Sequence, residues 1–470
     1  MIGLLLAALV QCPDGTPPPC RTATRAAPAP TSVAVLYFDN RSRDSSDAYL
    51  AEGLTEQTIA QLGEVERLTV SSRFAVRRFR GEAAQDPAAV GRSLNVTYLV
   101  TGSVQRSGGR LRVGVELVRA SSGVRVWGEQ YDRTDTDLLR LQDDIAANVA
   151  TGIVGRLLPA ERRAVTTRTT RNPAAYDHVL RGNFQLARRE PQALQLALRE
   201  YQTASQLDPG YTDAVARSAY AYGNALDNES DIGLPRDTMV ARGLALAEQA
   251  LRLDSLSSDA WLASAYMAMG RDPVAATGAR ERFERALALD PRSAEAHHQF
   301  ASYLSYMGDT TGALRGFRRA LELEPGRAIS WFQMAEIAIH LGRPREALQW
   351  TDSALAGDPD FTIAHIQRYL AGVALHDSAL MRASAATFLA RPALRGIGVA
   401  LDLFVLPVAT ADPALRRQAV AALQTMPLGS PTSPGTTIGG SFMAMLLAVA
   451  LLQHVGGAFG QEGLAVRRRA

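Results

Sequence analysis

Apolar positions between residues 33 and 157 come first as a block, then at helical spacing, then at every second residue. Val33-Ala34-Val35-Leu36-Tyr37-Phe38 is the unbroken apolar run of a strand covered on both faces. It stops at Asp39-Asn40, and Ser45-Ser46-Asp47 offers a helix N-cap ahead of Tyr49, Leu50, Leu54, Ile59 and Leu62. Leu68 to Ser71 predicts a second strand. Asp86-Pro87 predicts a second helix with proline at its first position, running through Ala89, Val90 and Leu94. Three strands follow: Val96 to Val104; Leu111, Val113, Val115 and Leu117 in alternation after Ser107-Gly108-Gly109; and Val124, Val126, Trp127 and Tyr131 after Ser121-Ser122-Gly123. Asp137 is placed to cap a long amphipathic helix through Leu138, Leu141, Ile145, Val149, Ile153 and Leu157. The order β-α-β-α-β-β-β-α predicts an α/β domain over 33–165, a mixed sheet with flanking helices, closed by Pro159 and the Arg/Thr-rich stretch 162–171.

From residue 172 the two-residue period vanishes and a longer helical self-similarity replaces it. Ala294–Arg327 carries Phe300-Ala301, Leu304, Gly308-Asp309, Ala313, Phe317, Ala320-Leu321 and Pro325. Ala328–Phe361 carries Trp331, Met334-Ala335, Ala338, Gly342, Ala347, Ala354 and Pro359, and both units are 34 residues long. Small residues sit where two antiparallel helices approach, larger ones fill between them, and proline ends the second helix. Looser units end at Leu207-Asp208-Pro209, Leu253-Asp254-Ser255 and Pro291, giving about five units over 172–361. This spacing resembles the tetratricopeptide (TPR) repeat, which implies an all-α superhelical solenoid that binds other proteins or peptides.

The α/β segment is similar, over roughly 31–165, to the TolB amino-terminal-like domain. The phrases that carry the resemblance are Val33-Ala-Val-Leu-Tyr-Phe-Asp-Asn40, Tyr49-Leu-Ala-Glu-Gly-Leu54, Tyr98-Leu-Val-Thr-Gly-Ser103 and Val126-Trp-Gly-Glu-Gln-Tyr131. Such domains occur in bacterial envelope proteins and in signalling proteins that place a catalytic or DNA-binding head before it and helical repeats after it.

Composition narrows the chemistry. All 50 basic residues are Arg, so a P-loop lysine, a kinase lysine and a Schiff-base lysine are excluded. A formal net charge of +3 on 470 residues gives no basic field for nucleic acid, and none is expected as a partner. Asp39 after its strand echoes the first metal-binding aspartate of class III nucleotide cyclases, but no second strand–Asp partner accompanies it; a strand-to-loop turn is the simpler reading. Asp132, Asp135 and Asp137 lack the glycine and distal glutamate of a calcium loop and read as helix-capping carboxylates. His297 and His298, adjacent on a helix, do not share a face. No His-Glu-x-x-His, Gly-x-Ser-x-Gly or Cys-x-x-Cys occurs, so the expectation is no enzyme, no metal and no cofactor.

The termini add context. Ile2–Val10 is apolar but short for a span, and reads either as the stub of an upstream membrane segment or as a degenerate export signal. With the Pro/Ala/Thr-rich linker it makes up 1–32 and implies membrane proximity on the periplasmic side, a cytoplasmic location being the alternative. Cys12 and Cys20 are either a small disulfide loop or two thiols. Residues 362–470 are expected to form a divergent helical cap, with Ser441–Val455 a buried helix in preference to a membrane-surface one.

Carried onto the two best repeats, the TPR resemblance implies a partner groove of His298, Ser302, Ser305, Tyr306, Phe332, Glu336, Ile339 and His340. The expectation is a non-catalytic adaptor of the envelope. The alternative is the sensory or regulatory portion of a kinase, adenylate cyclase or transcriptional regulator, without its head.

Overall fold

The structure is a computed structural model that describes residues 31–81, 86–166, 169–188, 190–228, 230–271 and 278–390. The expectations for Cys12, Cys20, the apolar stub, most of the linker and Ser441–Val455 lie outside the described residues.

A mixed sheet opens the chain. Its strands are β1 (Thr31–Val35), β2 (Asp39–Asn40), β3 (Leu68–Val70), β4 (Tyr98–Ser107), β5 (Arg110–Arg119) and β6 (Val124–Thr134), ordered β3-β1-β4-β5-β6 with β2 also on β4. β1 runs parallel to β3 and β4, while β4, β5 and β6 form an antiparallel meander. Alternation along β5 puts Leu111, Val113, Val115 and Leu117 on the covered face, each no more than 1% exposed. At roughly 1.5–3 kcal/mol per buried aliphatic side chain, that row alone anchors the meander. Helices α1 (Ala48–Gly63) and α4 (Leu138–Val154) pack on this face, with α2 (Arg73–Arg77), α3 (Pro87–Leu94) and α5 (Pro159–Val165) completing the domain.

Local chemistry departs from the sequence reading at three points. The carboxylate that caps the first helical turn is Asp44, accepting from Ser46 N at 2.8 Å, not a group within Ser45–Asp47. Asp137 makes no capping bond to α4; its carboxylate accepts from the Thr134 hydroxyl, and Asp132 and Asp135 are held by Arg110 and Arg106. Pro159 starts a further short helix: Glu161 accepts from Leu158 N at 2.7 Å and from Arg67 at 2.6 Å, which ties α5 back beneath β3. Asp86 behaves as read, capping α3 through Ala88 N and Ala89 N.

Beyond residue 172 the chain is a TPR solenoid of antiparallel helix pairs: α6 (Pro173–Leu186) with α7 (Pro191–Leu207), α8 (Thr212–Asp227) with α9 (Arg236–Leu253), α10 (Ser258–Arg271) with α11 (Ala279–Leu289), α12 (Ala294–Tyr306) with α13 (Thr310–Leu323), and α14 (Ala328–His340) with α15 (Pro344–Gly357). One bond repeats through all of them. The N–H of Asp208, Asp254, Asp290, Glu324 and Asp358 donates to Ala204, Ala250, Ala286, Ala320 and Ala354 O at 2.8–2.9 Å, so every second helix ends the same way. Those alanines are buried because the neighbouring helix approaches too closely for a larger side chain, and Tyr201, Phe283 and Phe317 fill the next turn, all fully buried. A further pair, α16 (Ala364–Leu375) and α17 (Ser378–Leu389), continues the stack past Phe361.

The sheet domain and the solenoid share one core. Leu54, Leu141 and Ile145 belong to the same apolar cluster as Tyr176, Val179, Leu180, Tyr201 and Tyr211. Gly53 permits this approach: a Cβ there would sit 3.0 Å from Leu180 Cδ2. Tyr49 is the polar node of the seam, its hydroxyl donating to Asp177 Oδ1 at 2.6 Å and accepting from Arg106 at 2.8 Å and Arg181 at 2.7 Å.

Candidate protein-binding surface

The first helix of each pair carries the surface that a TPR ligand meets, and the structure divides that surface in two. Setting Ala219 and Ala265 in register with Ala301, Ala216, Tyr220 and Asn224 take the places of His298, Ser302 and Tyr306, and Leu262 that of His298. All four line a chamber of about 540 Å³ whose opposite wall is α1, through Glu52, Gly53 and Glu56. The early part of the groove is therefore roofed by the chain's own first helix. Sequence reasoning missed this, because nothing local in Glu52–Ala60 announces a partner more than a hundred residues later.

Ion pairs stiffen the chamber's rim. Arg73 meets Glu56 at 3.1 Å and Arg217 meets Asp259 at 3.5 Å. Deeper, Arg327 bridges Glu295 and Glu324, while Glu295 also accepts from Tyr220 and Gln299. Burial alone would raise the Glu295 pKa, but Arg327, His298 and the Tyr220 hydroxyl hold its carboxyl well below the usual carboxylate range.

The later part of the groove holds the residues singled out from sequence, and they have different fates. His298 is 4% exposed: its Nδ1 meets Ser330 Oγ at 2.9 Å and its ring packs against Phe317. Ser302 is buried too, donating to His298 O at 3.2 Å. Neither is presented to a ligand: both are buried, and Ser330 of α14 and Phe317 of α13 flank the His298 ring. Ser305 and Ile339 are half-buried, Ile339 against the Ala335–Ala338–Ala347 cluster. Phe332 is half-buried and meets Phe361 edge-on at 5.9 Å.

Tyr306, Glu336 and His340 remain, and the fold brings them together. Tyr306 is 55% exposed. Partial burial, with Asp227 and Glu336 nearby, pushes its phenol up to about 12. Burial raises the Glu336 carboxyl and His340 opposes that rise. The result is an exposed aromatic ring beside a carboxylate and an imidazole, on the first helices of adjacent units, with Phe332 one turn away. Met307 and Leu341, 44% and 45% exposed, flank the ends of the same two helices. Among the described residues no three His, Cys, Asp or Glu side chains are grouped to hold a metal ion, and no helix is long and apolar enough to cross a membrane.

Comparison with known proteins agrees with the solenoid and redirects the first domain. A tetratricopeptide repeat family model matches residues 304–371. The solenoid is a TPR-type protein-interaction module. Residues 29–148 match the model of the second domain of the HilA/YgeH-like transcriptional regulators, where the sequence phrases had pointed to a TolB amino-terminal-like domain. A putative adenylate cyclase 3 of Rhizobium meliloti (strain 1021) is 29% identical over 227 residues, covering 48% of this chain; the chain spans 38% of that relative's length. Among solved structures, MamA aligns over 38% of this chain and 94% of its own at 17% identity and a TM-score of 0.27. YrrB, a TPR protein with an unusual peptide-binding site, aligns over 40% and 89% at 22% identity and 0.26. PilF of Pseudomonas aeruginosa aligns over 50% and 99% at 16% identity and 0.37.

Proposed function

We propose that the chain is a non-catalytic adaptor whose α12–α14–α16 surface, around Tyr306, Phe332, Glu336, Ile339 and His340, takes a segment of a partner protein. The observation that carries this reading is the contrast along one groove. Its first three units face α1 across a chamber, whereas Tyr306 and His340 stand exposed on the later units. Aromatic, acidic and imidazole groups on the first helices of adjacent units suit a short peptide carrying an apolar anchor and a hydrogen-bond donor. A location facing the periplasm belongs to this reading.

A second reading keeps the surface and changes the setting: the chain is the regulatory part of a signal-transduction protein. The matches to a transcriptional-regulator domain and to a putative adenylate cyclase favour it. In that setting the domain of β1–β6 relays the state of the partner-loaded solenoid to an effector.

Affinity capture with the full chain, quantified against a Phe332→Ala/His340→Ala variant that retains its helical circular dichroism, tests the shared core of both readings. The expected outcome is a defined protein whose recovery falls at least tenfold with the variant. Equal recovery of every captured protein would falsify the groove assignment. The nature of the captured protein, envelope component or signalling effector, separates the two settings.

A further inference from the structure

A second, smaller cavity lies at the junction of the sheet domain and the solenoid, sharing Gln57 with the chamber described above. It measures about 140 Å³ and is lined by Gln57 and Gln61 of α1, Leu139 and Gln142 of α4, Tyr176 of α6 and Asp213 of α8, together with the 169–170 link. Several protons of its polar walls are directed elsewhere. Gln61 Nε2 donates to Val165 O at 2.7 Å and to Asp143 Oδ1 at 3.3 Å. Thr169 donates to Asp213 Oδ2 at 2.7 Å, Thr170 to Asp208 Oδ2 at 2.6 Å, and the Tyr176 hydroxyl to Gln142 Oε1. Among the described residues Gln61 Oε1 has no hydrogen-bond partner, although Gln61 is only 6% exposed. The Val165 bond fixes the amide's orientation, so the orphan atom is the oxygen and not the nitrogen. An unsatisfied buried acceptor costs free energy, which favours a donor in that space.

We infer that this cavity binds a primary ammonium group on a short carbon tail, with its N–H groups shared between Gln61 Oε1 and the Asp213 carboxylate and its carbons against Leu139. An ammonium brings three donors and no acceptor, the complement of Gln61 Oε1 and the Asp213 carboxylate. Its charge suits Asp213, whose carboxyl is raised by burial and by the neighbouring Asp259 and is only partly offset by Arg217 and Thr169. At roughly 30 Å³ per water the space equals about five waters, enough for the head group and two or three carbons. Two sources supply this chemistry: a free small amine, or a lysine side chain of another protein, since this chain contains no Lys.

Isothermal titration of the full chain with ethylammonium chloride, at ionic strength held constant with sodium chloride, tests the assignment. Saturable binding is expected, with no binding of ethanol or tetramethylammonium, and at least a tenfold loss of affinity in Asp213→Asn. Gln61→Met provides the second variant and removes the acceptor. Should its lost Val165 bond unfold it, Asp213→Asn still decides, because Thr169 can donate to an amide oxygen. Binding of Nα-acetyl-lysine amide at least as tight as ethylammonium assigns the site to a partner's lysine; binding of the free amine alone assigns it to a small metabolite. Absence of saturable heat with ethylammonium, or equal affinity in wild type and Asp213→Asn, overturns the proposal and leaves ordered water in the cavity.

Discussion

The guanidinium of Arg327 lies over the ring of Phe74, 5.4 Å from its centroid, and so joins the fourth repeat to the short helix α2 of the sheet domain. Arg327 is 1% exposed and holds Glu295 and Glu324 at the same time. Nearby, Arg77 reaches Asp358 at 3.2 Å, extending the contact to the fifth repeat. The solenoid is thus fastened to its first domain at two separated places, the α1–α6 core and this later latch.

Replacing Arg327 with Met should destabilise the protein by about 3–5 kcal/mol, since two carboxylates lose their shared cation in a buried place. Adding Glu295→Gln should return part of that loss, as the pair no longer contains an isolated charge. Urea midpoints of the single and double variants measure both effects. A single-variant loss below about 1 kcal/mol would show that the latch is not a buried charge cluster.

The depressed pKa of Glu295 gives a pH signature. A carboxyl held lower in the folded than in the unfolded state stabilises above its unfolded pKa, and that stability is lost as pH falls through the folded value. Wild type should therefore lose stability on acidification more steeply than Glu295→Gln, beginning below about pH 5. Parallel acid limbs for the two proteins contradict the assignment.

Glu336 should behave in the opposite sense. Its carboxyl is raised by burial, so ionisation at neutral pH opposes folding, and the penalty fades as pH drops through the raised folded value. Glu336→Gln is expected to be more stable than wild type at pH 7, with the difference closing under acid conditions. A destabilised variant at pH 7 would mean that His340 more than compensates the carboxylate, and that the pair is structural and not held ready for a ligand.

Gly326 tests the geometry of the latch. A Cβ at this position would stand 2.8 Å from the Phe74 carbonyl carbon and 2.9 Å from Ala75 N, both backbone atoms that cannot rotate away. Gly326→Ala should push α2 off the repeat and speed amide hydrogen exchange across Arg73–Arg77, leaving β4–β6 unchanged. Unaltered exchange in α2 would place the contact outside the folded ensemble.

Much of the architecture was readable because its signals are local. The alternation of Leu111, Val113, Val115 and Leu117 and the Leu-Asp-Pro or Leu-Glu-Pro endings each lie within a few residues of what they specify. What escaped was decided over long distances or by very short elements. Arg73–Arg77 is too brief to show a period, and β2 has two residues. Which aspartate caps α1's entrance depended on backbone geometry that put Asp44, not Asp47, within reach of free N–H groups. His298 and Ser302 read as ligand-facing from their repeat positions, yet both are buried, His298 against Ser330 and Phe317. The roof over the early groove depends on Gly53 meeting Leu180, a pairing no sequence window contains.

The continuous core beneath α1, α4 and α6–α8 limits how this architecture can be recombined. Grafting a foreign repeat array at the 166–172 link would strand Tyr176, Val179 and Leu180, which belong to the sheet's interior as much as to the array. A junction after Pro209 carries the first hairpin along and keeps most of that interior filled. Chimeras joined at the later point should be soluble and monodisperse by light scattering, and those joined at the earlier one should aggregate; the reverse result would mean that the two parts fold as interchangeable cassettes.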